Sequence, residues 1–139
     1  MNYGYKKEVN LNFEKSVEKI KEELAIEGFG ILTQIDVKAT LKKKLNVDFE
    51  KYVILGACNP PFAHKALLAE RDIGLLLPCN VIVYEQDAKV FVSAIVPSVA
   101  MGMVENEALG EIAKEVEDKL KKVVDKIWRR NKKWKKLLE

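Results

Sequence analysis

The stretch NVIVYEQDAKVFVSAIV, residues 80–96, decides the fold predicted for this chain. Val, Ile, Tyr and Phe dominate both halves, as is typical of β-strands, and the polar link Gln86-Asp87-Ala88 between them predicts a hairpin. A strand over residues 80–85 therefore pairs antiparallel with a strand over residues 89–96. Pro97 ends the second strand, because proline lacks the N–H that a sheet ladder requires.

Two long amphipathic helices are predicted outside the hairpin. One starts at Glu105, and its apolar residues recur every three or four positions as Leu109, Ile112, Val116, Leu120, Val123 and Ile127. The other follows the cap residue Asn12, carries an apolar stripe from Phe13 to Leu24, and ends at Gly28. Each helix must bury its stripe, and a largely antiparallel sheet is the partner that this chain offers.

The remaining segments complete the order β-α-β-α-β-α-β-β-α. We predict strands over 2–11, 29–37 and 52–57, short helices over 38–45 and 62–70, an apolar connection over 73–77, and a loop over 97–104. The predicted fold class is α+β, a two-layer sandwich whose long amphipathic helices pack on one face of a largely antiparallel sheet. Residues 1–127 form a single domain, and residues 128–139 form a basic C-terminal extension.

Composition favours a globular protein of the cytoplasm. Hydrophobic residues make up 48% of the chain and charged residues 32%. The apolar runs are far shorter than the ~20 residues of a membrane span, and the N-terminal segment has no apolar signal core. The motifs of dinucleotide-binding proteins, phosphate loops, nucleophile elbows and zinc proteases are also missing from the sequence, which argues against those classes.

The charge is unevenly distributed. Six of the 24 basic residues and one of the 21 acidic residues lie in residues 128–139, so this extension carries +5 and the rest of the chain −2. Trp128 and Trp134 accompany the basic residues, and this combination suits nucleic acid or an anionic membrane surface. We favour a charged, soluble extension of the last helix that clasps a second subunit, with the two polyanion partners as alternatives.

Three segments together resemble one known family. They are Gly28–Val37, Leu55–Pro60 and Gly74–Val81, in this order and at these separations. The set is similar to family 302 of the domains of unknown function, and the resemblance covers roughly residues 3 to 127. It implies a compact sandwich with helices packed on one sheet and a homodimer. The family has no assigned reaction, cofactor or catalytic residues.

Cys58 and Cys79 are the candidate site residues, because each lies at the junction of a strand with a proline-containing turn. If their strands are neighbours, the two sulfur atoms lie close together, and the helix that starts at the Pro61-Phe62 turn favours a thiolate there. A redox pair or a soft-metal site would follow. The alternative, which we favour, is two small buried apolar residues, since free cysteine is among the most buried residue types.

Other residues are weaker candidates. His64, the only histidine, follows Cys58 on a predicted helix but falls among lysines and is expected to face solvent. Met101 and Met103 offer sulfur ligands that monovalent copper prefers, although a dimer contact is the simpler expectation. Asp36 and Glu85 both end strands, and a buried pair of carboxylates supports acid/base chemistry. Asp36 is also placed to cap the helix that follows it.

We therefore hypothesise that the chain binds a small ligand or a soft metal, or performs thiol redox chemistry, near Cys58 and Cys79. The ligand-binding residues would be Cys58, Asn59, Cys79 and Asp36, and the metal ligands Cys58 and Cys79. Asn59 would orient the turn or the ligand. The alternative is a non-catalytic dimeric interaction module whose basic extension recruits a partner, and an acid/base enzyme centred on Asp36 or Glu85 is a third reading. The sequence decides neither whether the protein is an enzyme nor which cofactor it uses.

Overall fold

The computed structural model describes the backbone of residues 2–138 and the side chains of residues 2–127. The strands are β1 Gly4–Val9, β2 Gly30–Asp36, β3 Tyr52–Cys58, β4 Cys79–Gln86 and β5 Lys89–Ile95. The α-helices are α1 Phe13–Ile26, α2 Val37–Leu45, α3 Pro60–Ala69, α4 Pro97–Ala100 and α5 Glu107–Leu138. Two 3-10 turns lie at Arg71–Leu76 and Met101–Met103. These elements confirm the predicted α+β class.

The five strands form one sheet in the order β1-β5-β4-β3-β2. All neighbouring strands are antiparallel. The β4–β5 hairpin lies near the centre, with β1 beside β5 as one edge strand and β2 as the other. Because β3 and β4 run side by side, the end of β3 lies next to the start of β4, and this proximity positions the candidate site.

One face of the sheet packs against α1 and α5 and forms the main core. Alternate residues of the central strands point toward the helices and are buried, namely Val53, Leu55, Ala57, Val81, Val83, Val92 and Ala94. They meet the predicted helical stripes, of which Ile20, Leu24, Leu120 and Ile127 are at most 1% exposed. Burial of each large aliphatic side chain stabilises the fold by ~1.5–3 kcal/mol.

The capping residues that were predicted for α1 and α2 form the expected hydrogen bonds. Asn12 Oδ1 accepts from the Lys15 backbone N–H at 2.8 Å, and Asp36 Oδ1 accepts from Ala39 N–H at 2.9 Å. Gly28 adopts φ +88° just after α1. A residue with a β-carbon is disfavoured in this left-handed conformation, which explains why glycine occupies the position.

Two connections differ from the prediction. Gln86 pairs with Lys89, so the hairpin turn contains only Asp87 and Ala88, whose φ angles are +52° and +64°. The three-residue link was therefore wrong, and the turn is of the two-residue type that matches strand twist. Residues 97–104, predicted as a loop, contain α4 and the Met101–Met103 turn, because Pro97 is a favourable first residue of a helix.

The predictions for the C-terminal extension concern side chains beyond Ile127, which lie outside the described side chains. The backbone of α5 continues to Leu138. Within the part of the chain that was described, no helix combines the length and the apolar character needed to cross a membrane.

Candidate functional site: an apolar pocket at the ends of β3 and β4

A pocket of about 310 Å³ lies where the ends of β3 and β4 meet α3 and α5. Its volume is at the lower end of the ~300–1,000 Å³ found for small-molecule sites. The residues that matter for its chemistry are Cys58, Asn59 and Cys79, all of which line it. The structure thus brings together three of the four residues that the sequence analysis selected as ligand-binding.

The two cysteines approach each other with an offset. The β3–β4 ladder pairs Cys79 with Ala57, so Cys58 is one position further along β3. Successive side chains of a strand point to opposite faces, and the directly opposed pair typical of a cross-strand disulfide is therefore missing here. Both cysteines are free, and both residues line the pocket at the sheet's end. The register disfavours an internal disulfide as the basis of redox chemistry.

The two thiols differ in environment. Cys79 is buried, with 8% of its surface exposed, whereas Cys58 is only partly buried. Burial raises the pKa of the Cys79 thiol to about 11, and the charge of neighbouring Cys58 acts in the same direction. Cys79 therefore stays protonated at neutral pH and is a poor nucleophile, because the thiolate is the reactive form.

Asn59 connects two parts of the pocket wall. Its Nδ2 donates to the Glu27 carbonyl oxygen at 3.1 Å, which ties the end of α1 to the start of α3. The side chain is 8% exposed and makes no hydrogen bond to the first turn of α3. No described residue donates a hydrogen bond to Asn59 Oδ1. Asn59 is thus the polar residue of a lining that is otherwise apolar apart from the two cysteines.

The start of α3 is poorly suited to anions. Pro60 and Pro61 occupy its first helical positions and carry no N–H, although such groups normally give a helix N-terminus its affinity for negative charge. The amide of Phe62 is the first that α3 supplies. The Pro61-Phe62 turn therefore supplies fewer backbone N–H groups than its position at a helix N-terminus suggests.

The walls of the pocket are apolar, and the sequence analysis did not predict them. They consist of side chains from β2 and the residue before it, from β3, α3, α4 and α5, and from the segments before β4 and after α4: Phe29, Leu32, Ala57, Phe62, Ala63, Ala66, Leu67, Leu77, Pro78, Pro97, Met101, Ile112, Ala113 and Val116. Small residues create the space, since Ala66 and Ala113 are nearly fully buried on facing helices. Alanine at inward positions of both helices was the available signal.

The other candidates lie elsewhere. Asp36 pairs with Val53, five positions before Cys58 on β3, which puts it roughly 17 Å from the pocket end at ~3.3 Å per residue. It caps α2 and is exposed, so the structure does not bring it to the cysteines. Glu85 lies on β4 and is separated from Asp36 by β3, so these two residues are not on neighbouring strands.

The remaining candidates for metal ligands differ in their exposure to solvent. Met101 is buried and lines the pocket, whereas Met103 is 75% exposed and His64 faces solvent, as expected. Among the residues with described side chains, no group of three or more His, Cys, Asp or Glu is arranged to hold a metal ion. Of the residues predicted as metal ligands or as their neighbours, the structure places Cys58, Cys79 and Met101 around one pocket.

A second feature lies on the sheet face opposite α1 and α5. Tyr52, Tyr84 and Phe91 stack across three strands, with ring centroids 5.3 Å apart at each step. We call them the aromatic row. Lys6 Nζ donates to Tyr84 Oη at 3.0 Å and lies 5.0 Å from the centre of the Phe91 ring. Because the rings face one another, they present their edges outward, which suits packing against another apolar surface better than stacking on bases.

Comparisons with known proteins agree with this fold. The family model described as a domain of unknown function, DUF302, matches residues 5–127. The crystal structure of an uncharacterised conserved DUF302 protein from Bacillus stearothermophilus superposes with a TM-score of 0.86 and 32% identity, covering 91% of this chain and 99% of the other. No curated protein matches the sequence. The chain therefore belongs to the DUF302 family of domains of unknown function.

Proposed function

We propose that this domain binds a small, largely apolar molecule in the pocket at the ends of β3 and β4. The observation that carries the proposal is a preformed space of about 310 Å³ whose lining contains one carboxamide, two thiols and otherwise apolar groups. Such a composition matches that of small-molecule sites, which combine apolar walls with a few polar groups that fix orientation.

The polar groups support recognition more than catalysis. Asn59 Oδ1 is available to accept a hydrogen bond from a ligand hydroxyl or amide, while Nδ2 is held by Glu27. The protonated Cys79 thiol contributes a polarisable wall, since burial raises its pKa to about 11. Cys58, being partly exposed at the rim, is the group that a bound ligand would shield.

The proposal is tested by filling the pocket. Ala63→Leu adds three carbon atoms to the pocket wall, and Ala108→Leu is the matched control on the exposed surface of α5. An environment-sensitive apolar fluorophore should bind the wild type and the control equally. We expect the Ala63→Leu variant to bind it at least ~tenfold more weakly, as steric exclusion from a small pocket costs more than ~1.4 kcal/mol.

Alkylation of Cys58 gives a second readout. Saturating fluorophore should slow the reaction of Cys58 with iodoacetamide in the wild type and leave it unchanged in the Ala63→Leu variant. Equal fluorophore binding by all three proteins, with no protection of Cys58, would show that the pocket is not a binding site.

A soft-metal site at Cys58 and Cys79 is the second use that we propose for this pocket, because the thioether of Met101 lines it too. Three sulfur atoms are a ligand set that favours monovalent copper over zinc or magnesium. Anaerobic titration of the reduced protein with copper(I) against a chromogenic chelator tests this. One tightly bound copper in the wild type and none in a Cys58→Ser, Cys79→Ser variant would support it, and equal copper uptake by both proteins would refute it.

We further propose that the domain forms a homodimer through the sheet face that carries the aromatic row. The partly buried rings of Tyr52, Tyr84 and Phe91 are flanked by Phe49, which is 45% exposed. A stable dimer buries ~800 Å² on each partner, and the aromatic row would form the centre of that contact. We also propose a cytoplasmic location, which fits two free cysteines.

Sedimentation of the wild type should give twice the 15.8 kDa of one chain. Phe91→Glu introduces a charge into the aromatic row and should yield monomers, whereas Ile26→Glu, at a 64% exposed position of α1, should not. A wild type that stays monomeric at high micromolar concentration, or a Phe91→Glu variant that stays dimeric, would exclude this face as the interface.

A further inference from the structure

A second cavity adjoins the proposed binding pocket. It measures about 260 Å³, lies on the side of α4 and the turn that precedes β4, and is bounded further out by Leu75, Leu76, Asn80, Ile95 and Ala100. Five residues line both cavities: Leu77, Pro78, Cys79, Pro97 and Met101. The two spaces are therefore separated by a single layer of side chains, and that layer is apolar apart from the Cys79 thiol.

We infer that the two cavities join into one elongated site and that its ligand is an unbranched long-chain carboxylate. This inference rests on the proposed ligand-binding function of the first pocket. A compact apolar molecule would fill only the 310 Å³ pocket, whereas a flexible chain that passes the shared wall would also use the 260 Å³ beyond it.

Met101 is the residue of the shared wall whose side chain can change its rotamer most easily. Its side chain is unbranched and has three rotatable bonds, so it adapts to a neighbouring chain more readily than the ring of Pro97 or Pro78 does. It belongs to a small satellite core with Ala66, Leu109 and Ala113 rather than to the main core between sheet and helices. Its displacement therefore leaves the main core intact.

The position of the carboxylate follows from the charges beside the first pocket. Lys65 Nζ and Lys119 Nζ lie 5.6 and 6.0 Å from the centre of the Phe62 ring, and Phe62 lines the pocket. None of the residues that line either cavity is a lysine, arginine or histidine. Lys119 Nζ also lies 3.9 Å from Glu27 Oε1, whereas no ion pair among the described side chains involves Lys65, so Lys65 is the main partner of a negative head group at the Phe62 rim. The chain is then directed inward past Asn59 and Cys79 toward Met101.

The inference is tested with the full chain and saturated unbranched carboxylates of increasing length, each below its micelle-forming concentration, by calorimetric titration. Each added methylene should tighten binding about fourfold until the joined site is full. Met101→Phe should stop this increase several carbons earlier than in the wild type. Met103→Phe, the same change at an exposed position two residues away, should leave the length profile unchanged.

Further variants keep the test decisive if Met101→Phe folds poorly. Met101→Ala widens the connection and should strengthen binding of the longest chains by at least ~fourfold. A Lys65→Gln, Lys119→Gln variant should weaken binding of carboxylates about tenfold and leave alcohols of equal length unaffected.

An affinity that stops rising at the same short chain length in the wild type and in both Met101 variants would overturn the joined site, while the first pocket would still stand if the apolar fluorophore binds. Loss of fluorophore and carboxylate binding alike would overturn both proposals. Equal binding of carboxylates and alcohols would overturn the assigned head group.

Discussion

The Asn59 side chain holds the carbonyl of Glu27 through a 3.1 Å hydrogen bond, and this contact joins two segments that are 32 residues apart. It fixes the turn after α1 against the start of α3, which is one corner of the ligand pocket. The same Nδ2 lies 3.3 Å from the position that a β-carbon on Gly28 would occupy. The hydrogen bond between Asn59 and Glu27 therefore supports both the fold and the pocket.

Replacing Asn59 with Ala should lower the free energy of unfolding by about 1–3 kcal/mol, because the Glu27 carbonyl would lose its donor in a largely buried setting. Asn59→Asp should cost more, since a carboxylate would face the carbonyl oxygen. Urea unfolding measures both changes. If Asn59→Asp were as stable as the wild type, the contact would have no structural role.

Gly28→Ala should destabilise the protein by about 1–2 kcal/mol, because the left-handed φ of +88° is strained for alanine. Part of the cost should come from the close approach of the new β-carbon to Asn59, 3.3 Å away. Combining it with Asn59→Ala separates these contributions in a double-mutant cycle. A cycle without coupling would assign the whole effect to backbone strain.

Gly56 is enclosed by a neighbouring strand and a proline ring. A β-carbon at this position would overlap Thr33 Oγ1 and lie 2.9 Å from Pro78 Cγ. Gly56→Ala should therefore destabilise the fold by about 1–3 kcal/mol. Thr33→Ala removes the nearer atom and should recover part of that loss in the double variant, whereas an unchanged loss would identify Pro78 as the main obstacle.

The raised pKa of Cys79 makes a pH-dependent contribution to stability. Its folded-state pKa of about 11 exceeds the ordinary value of 9.0, so the folded state retains a proton that the unfolded state releases between these values. Stability from this thiol is fully present below pH 9 and decreases as pH rises toward 11. Cys79→Ala should show a smaller decrease over this range in urea unfolding, and Cys58→Ala should have a lesser effect in the same direction, because Cys58 contributes to the raised pKa of Cys79. Parallel profiles for the wild type and Cys79→Ala would contradict the assignment.

Glu117 stabilises the start of α4 in the opposite pH range. It is 5% exposed, and its Oε1 accepts hydrogen bonds from the Ser98 backbone at 3.0 Å and from the Ser98 hydroxyl, while Lys121 donates to Oε2 at 3.1 Å. Burial acts to raise the pKa of Glu117, but the bonds from Ser98 and Lys121 outweigh it and lower the pKa below its ordinary value of 4.5. This stabilisation is present above pH 4.5 and is lost as pH falls through the lowered pKa.

Glu117→Gln should therefore reduce the free energy of unfolding by about 1–2 kcal/mol at pH 7, and the difference from the wild type should shrink as pH falls from about 5 to 3. Glu111→Gln, at an exposed position on the same helix, should show no such convergence. A difference that stayed constant over this range would show that the carboxylate charge of Glu117 is unimportant.

Much of the secondary structure could be predicted from the sequence, because helix caps and apolar periodicity depend on residues that are close together in the chain. The caps at Asn12 and Asp36 and the left-handed Gly28 were predictable, since each depends on hydrogen bonds or backbone sterics within one turn. The apolar stripe of α5 likewise predicted its buried face. The hairpin turn was predicted to be one residue longer than it is, because the length of a turn depends on how the two strands pair and not on composition.

The sequence by itself determined the order of the five strands and the four longer helices, the α+β class and the family, and it directed attention to Cys58, Asn59 and Cys79. Only the tertiary structure decided the nature of the site, because strand register and helix placement are long-range. In the observed register Cys79 pairs with Ala57 and not with Cys58, and Asp36 lies at the end of β2 that is far from the cysteines. Inward alanines such as Ala66 and Ala113 were the local signal for space between the helices, but only the packing of α3 against α5 decided that the space is a pocket.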